Sequence, residues 1–180
     1  LSPFAHGPMA QRISAGFDLM HRLAKEYEKP QFEITSAEVD GVQVAVQEQV
    51  ALTKPFCRLL RFKRFTDDPV ALADMKQQQP VLVVAPLSGH HSTLLRDTVK
   101  SLLQHHKVFI TDWTDARMAP VWLGRFDLDD YIDHVRKMLV HLGGGAHVLA
   151  VCQPGPPVLA AISMMAEEDD PALPATMTFM

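Results

Sequence analysis

The sequence predicts an α/β protein in which an antiparallel hairpin leads into a mostly parallel sheet. Three observations carry that expectation. Short unbroken apolar runs at residues 81–86, 108–111 and 147–151 read as strands buried on both faces. Segments with helical spacing of apolar residues separate them, so right-handed crossovers are required. Upstream, Asp40-Gly41 stands between two alternating segments, a strong signal for a tight hairpin.

The elements follow in order. Ile13, Phe17, Met20, Leu23 and Ala24 fall on one helical face within residues 9–29, and Pro30 closes that helix. Residues 32–39 and 42–51 are the hairpin arms, a basic strand spans 57–65, and the polar stretch 66–79 holds a short helix and a loop. After the strand at 81–86 comes a helix with Leu95, Val99, Leu102 and Leu103 on one stripe and Ser92 as its cap. Asp127 caps a helix carrying Leu128, Ile132, Val135 and Leu139, which Gly143-Gly144-Gly145 ends. Residues 158–165 form a helix behind the strand at 147–151, and 175–180 begin one more element of the alternation, on a strand-like run.

Composition narrows the function classes. With 47% apolar and 21% charged residues among 180, the chain can bury a core, which argues against disorder. The net charge is -4 with both signs interspersed, so nucleic acid is not indicated as a partner. Two distant cysteines, Cys57 and Cys152, suggest no disulfide framework, and Cys57 reads as a core residue. No segment has the apolar length to cross a membrane, and the start lacks the features of a signal peptide. A cytoplasmic protein is expected. The chain starts without methionine and ends on an apolar run, and both ends read as cuts.

The segment that carries chemistry is Ala150-Val151-Cys152-Gln153-Pro154-Gly155, where a strand turns into a helix. In a nucleophile elbow, small residues flank a nucleophile on a strained turn because strand and helix backbones approach closely there. Ala150 takes the first small position, Cys152 the nucleophile's, and Pro154-Gly155 the second small position. A thiol just ahead of a helix lies at the positive end of its dipole, which favours the nucleophilic thiolate. The backbone N–H of Gln153 would face an oxyanion.

A second segment, Ser88-Gly89-His90-His91, follows the 81–86 strand, where this architecture places its other oxyanion N–H, here assigned to His90. Adjacent histidines in a loop diverge and no third ligand is evident, so no metal is expected. A third, Thr111-Asp112-Trp113-Thr114-Asp115-Ala116-Arg117, leaves a strand at its carboxyl end, where ligands gather in open α/β sheets. Asp112 precedes Cys152, against the hydrolase order of nucleophile, acid, then histidine. Asp112 and Arg117 are therefore expected to hold their loop together, with Trp113 packing on or near the site. No histidine follows Cys152, and the acids Glu167, Glu168, Asp169 and Asp170 read as a solvated run at a helix end. A cysteine nucleophile needs a base in reach, so the chain is expected to be inactive alone.

Together, Val84-Ala85-Pro86-Leu87-Ser88-Gly89-His90, Thr93-Leu94-Leu95-Arg96, Asp112-Trp113-Thr114-Asp115-Ala116-Arg117 and Val151-Cys152-Gln153-Pro154-Gly155 resemble the intracellular polyhydroxybutyrate depolymerases. The resemblance covers nearly the whole chain, including the first helix and the hairpin. It implies an N-terminal helical segment over 1–31 and, over 32–180, a partial α/β-hydrolase fold running through the nucleophile elbow. It further implies an enzyme on cytoplasmic polyester granules that cleaves esters through Cys152. Gln153 and His90 would form the oxyanion hole, with Ser88, Gly89, His91, Asp112 and Trp113 near the substrate. No cofactor is implied. Coenzyme A is an implied acyl acceptor in some such enzymes, and a homo-oligomer is compatible with the exposed ends. Two rivals stand beside this reading: a polyhydroxyalkanoate synthase, whose glycine-flanked elbow fits less well, and a non-catalytic granule-binding remnant.

Overall fold

The computed structural model describes residues 7–25, 28–87 and 91–180. The chain divides into two units, Leu1–Pro30 and Gln31–Met180. In the first, helix α1 spans Pro8–Ala24, with proline in its first turn where the missing N–H is harmless. It ends where the apolar stripe ends, five residues before the expected stop, because Lys25 takes an extended ψ of 120°.

In the second unit seven strands form one sheet, in the order β1-β2-β3-β5-β4-β6-β7. The strands are β1 Ser36–Val39, β2 Val42–Thr53, β3 Cys57–Phe65, β4 Pro80–Val84, β5 Lys107–Trp113, β6 His147–Ala150 and β7 Thr176–Phe179. β1, β2 and β3 are antiparallel neighbours, and β3 also runs antiparallel to β5. From β5 onward every pairing is parallel. The hairpin turns as its sequence demands: Asp40 and Gly41 both hold positive φ, 48° and 79°. Its first arm is shorter than expected. Glu33, at φ 51°, breaks the extended run, and Phe32 and Ile34 turn into the core instead.

Among its described residues this unit has the α-helices α2 Pro69–Gln77, α3 Arg96–Leu102, α4 Leu128–Leu142 and α5 Gly155–Glu167. The pleat divides each strand between two layers. Leu82 and Val84 of β4, Phe109 of β5 and Val148 of β6 pack with Val135, Met138 and Leu139 of α4 and with Val158, Ala161 and Met165 of α5. On the opposite face Val81, Val83, Ile110 and Leu149 meet Leu95, Val99 and Leu103. Asp127 forms the expected cap of α4 as a full capping box with Asp130. The apolar stripe of α4 begins at Tyr131 rather than Leu128, because Leu128 lies in the first turn, which points to solvent. Ser92 is not a helix cap. It opens a 3₁₀ turn, Ser92–Leu95, and its buried hydroxyl is used elsewhere. No helix among the described residues is long and apolar enough to cross a membrane.

Candidate functional site

Register sets the geometry. Val84 of β4 lies beside Ala150 of β6, so the segments leaving both strands emerge side by side at the carboxyl edge of the sheet. After β6 the chain turns through Val151-Cys152-Gln153-Pro154 straight into α5. Cys152 holds φ 67°, a left-handed conformation that a residue with a Cβ rarely adopts, and its side chain is exposed. Hydrogen bonds hold the turn from both sides. The Cys152 N–H donates to the Met180 carbonyl at 2.6 Å, and the Gly155 N–H donates to the Cys152 carbonyl at 3.1 Å. Cys57, by contrast, opens β3 and is fully buried in the core.

The segment leaving β4 is fixed from two directions. The Ala85 N–H donates to the Thr111 hydroxyl at 2.8 Å, and the Ala85 carbonyl accepts from the Trp113 indole at 3.0 Å. Two residues on, the Leu87 N–H donates to Oε1 of Gln153 at 3.0 Å, tying this segment to the turn at Cys152. Ser88, Gly89 and His90 lie outside the described residues. His91 precedes the 3₁₀ turn and sits near Asp115. The Asp115 carboxyl is held below its ordinary range chiefly by hydrogen bonds from Arg117, with a smaller contribution from the charge of His91.

Asp112 and Trp113 belong to the end of β5, and both are buried. Asp112 accepts from Arg58 of β3 at 2.8 Å and from the Ser92 hydroxyl at 2.7 Å. It therefore joins three segments of the fold. Arg117 bonds Asp115 two residues before it, an anchor within the loop, while Asp112 ties the end of β5 to β3 and to the 3₁₀ turn. Trp113 stacks on Tyr131 at 4.5 Å between ring centroids, with Phe126 and His134 alongside. Burial pushes the Tyr131 phenol up and the His134 imidazole down. Two features carried no sequence signal: the Arg58–Asp112 pair, 54 residues apart, and the Gln153 side chain as a bridge. Pairing across a sheet depends on strand order, which local pattern does not encode. No group of three or more metal-ligating side chains occurs among the described residues.

A sheet of this order, antiparallel at β3 and parallel from β5 to β7, with a strained, exposed residue between β6 and its following helix, is an α/β-hydrolase-type core. No protein-family model matches the chain, and neither does any curated protein. Among solved structures it is similar to a brefeldin A esterase, described as a bacterial homologue of human hormone sensitive lipase. The TM-score is 0.44 at 11% identity, over 93% of this chain and 46% of that one. The chain thus spans about half of that esterase, and the fold assignment stands on strand order and register.

Proposed function

We propose that the chain carries the nucleophile of a cysteine-dependent polyester hydrolase, an intracellular polyhydroxybutyrate depolymerase. The observation that supports this best is Cys152: an exposed thiol at φ 67°, between a buried strand and the first turn of a helix. Holding that conformation costs about 1–2 kcal/mol. Strain of this kind collects at functional sites, where it is part of a mechanism.

In the proposed reaction the Cys152 thiolate attacks the ester carbonyl carbon, and the carbonyl π electrons move onto oxygen. Backbone N–H groups of Gln153 and His90 hold that oxyanion. Collapse breaks the C–O bond, and the shortened polymer leaves as an alcohol once protonated. Water then attacks the thioester and releases 3-hydroxybutyrate, or the thiol of coenzyme A takes the acyl group as 3-hydroxybutyryl-coenzyme A, and either step regenerates the Cys152 thiol. Ser88, Gly89, His91, Asp112 and Trp113 would surround the bound polyester, with Asp112 and Trp113 acting from beneath. The substrate would be the surface of a cytoplasmic granule. This mechanism needs a base in reach of Cys152, and no histidine follows Cys152 in the sequence, so the 180-residue chain should show no activity by itself.

The test uses the open reading frame that contains this chain, incubated with amorphous polyhydroxybutyrate granules while 3-hydroxybutyrate release is followed. Release that disappears in Cys152→Ala is the expected result. Release that survives the substitution overturns the covalent mechanism. Granule binding without any release favours the non-catalytic reading, and polymer growth from an acyl-coenzyme A favours a synthase.

A further inference from the structure

At the edge of the sheet opposite Cys152, the strands gather cations that the sequence scatters. Arg61 and Lys63 alternate along β3, and Lys107 opens β5 two residues before Phe109, the residue paired with Arg61. Residues two apart share a face, so Arg61 and Lys63 stand on one side of the sheet, and Lys107, at the first position of β5, lines a cavity with Arg61. The cross-strand neighbours of Arg61 and Lys63 on β2 are the amides Gln49 and Gln47, which bond each other at 3.1 Å. Where a neutralising carboxylate would normally stand, this sheet has glutamine. Among the described residues no carboxylate lies within ion-pair distance of Arg61, Lys63 or Lys107, although the chain is net acidic.

The cations are also placed. The Arg61 guanidinium lies 5.6 Å from the centroid of the Phe109 ring, and the Lys63 ammonium 4.9 Å from that of Phe65. A guanidinium resting on a ring keeps N–H donors free around its edge. Lys107 donates to the Lys76 carbonyl at 2.9 Å, using one of its three donors. Two adjoining cavities, about 430 and 270 Å³, share Arg61 and Lys107. The larger has an apolar floor that includes Val50, Pro80, Phe109 and Leu142. Its volume falls in the range of small-molecule sites, about 300–1,000 Å³.

We propose that this face binds an organic phosphate, with its phosphates on Arg61, Lys63 and Lys107 and its apolar body over Phe109 and Leu142. Unneutralised like charges repel one another, and a multivalent anion removes that repulsion. Arg61 supplies the planar fork that suits phosphate oxygens. The apolar floor is what separates this reading from a site for bare phosphate. Pro80 and Lys107 begin their parallel strands while Cys152 follows the end of β6, so a ligand here is remote from the nucleophile.

Calorimetric titration of the 180-residue chain with ATP and with inorganic tripolyphosphate, at physiological ionic strength, tests the proposal. ATP should bind once per chain, about tenfold more tightly than tripolyphosphate. Arg61→Gln and Lys107→Gln should each weaken ATP about tenfold, and Arg61→Lys should recover part of the loss. Lys100→Gln, on α3 and the opposite face, should change nothing. Far-UV circular dichroism verifies that each variant folds; Lys107→Gln, at a strand end, carries the test if Arg61→Gln does not. Absence of saturable ATP binding, equal affinity for tripolyphosphate, or an equal loss in Lys100→Gln would each overturn it.

Discussion

A cysteine at φ 67° keeps its Cβ close to the following carbonyl oxygen, and only glycine escapes that contact. Cys152→Gly should therefore be more stable than Cys152→Ala by roughly 1 kcal/mol, read from urea denaturation. Equal stabilities would mean that the turn carries no strain. Asp112 presents the opposite case, a buried carboxylate whose comfort depends on its neighbours. Arg58→Ala removes a charged donor and leaves Asp112 with the Ser92 hydroxyl of the two. A loss of about 2 kcal/mol is expected, moderated because Arg58 is half exposed. Asp112→Asn should cost less, since the amide oxygen can still accept from either partner.

Between elements, the turn after α4 leaves no room for a side chain at Gly144. A Cβ on Gly144 would lie 2.6 Å from the Pro171 carbonyl oxygen, a backbone atom with little room to retreat. Gly144→Ala should cost about 1–3 kcal/mol, whereas Gly16→Ala on α1 meets nothing and should be neutral or stabilising. Thermal denaturation of the two variants makes the comparison. This scale also shows what was legible beforehand. Asp40-Gly41, the Asp127 cap and the apolar runs of β4, β5 and β6 announce themselves because their signals are local. The cut that Glu33 makes in the first hairpin arm, and the roles of Ser92 and Leu128, do not follow from such local patterns. In each, a tertiary partner or the direction of one helical turn decides the outcome. The elbow around Cys152 was legible as a pattern of small residues beside a nucleophile, but the Gln153 bridge to Leu87 needed β4 and β6 side by side.

For the molecule as a whole, two histidines contribute to the response to mild acid. Burial lowers the pKa of His134, and burial followed by the charge of His147 lowers that of His106. Unfolded histidine titrates near about 6.5. Below that pH the unfolded chain binds protons that the folded chain resists, so stability should fall as pH drops through this value toward the lowered folded ones. Urea midpoints between about pH 7.5 and about pH 5 should show the decline, and His134→Phe, which suits the surrounding aromatic rings, should flatten it. An unchanged slope in that variant would remove His134 from the account. The bond from the Cys152 N–H to the Met180 carbonyl has a consequence on the time axis. That amide exchanges with solvent only when the chain just beyond β7 lifts away. A single exchange rate, measured at Cys152, thus reports how often the outermost parallel strand opens, and any ligand that steadies β7 will slow it.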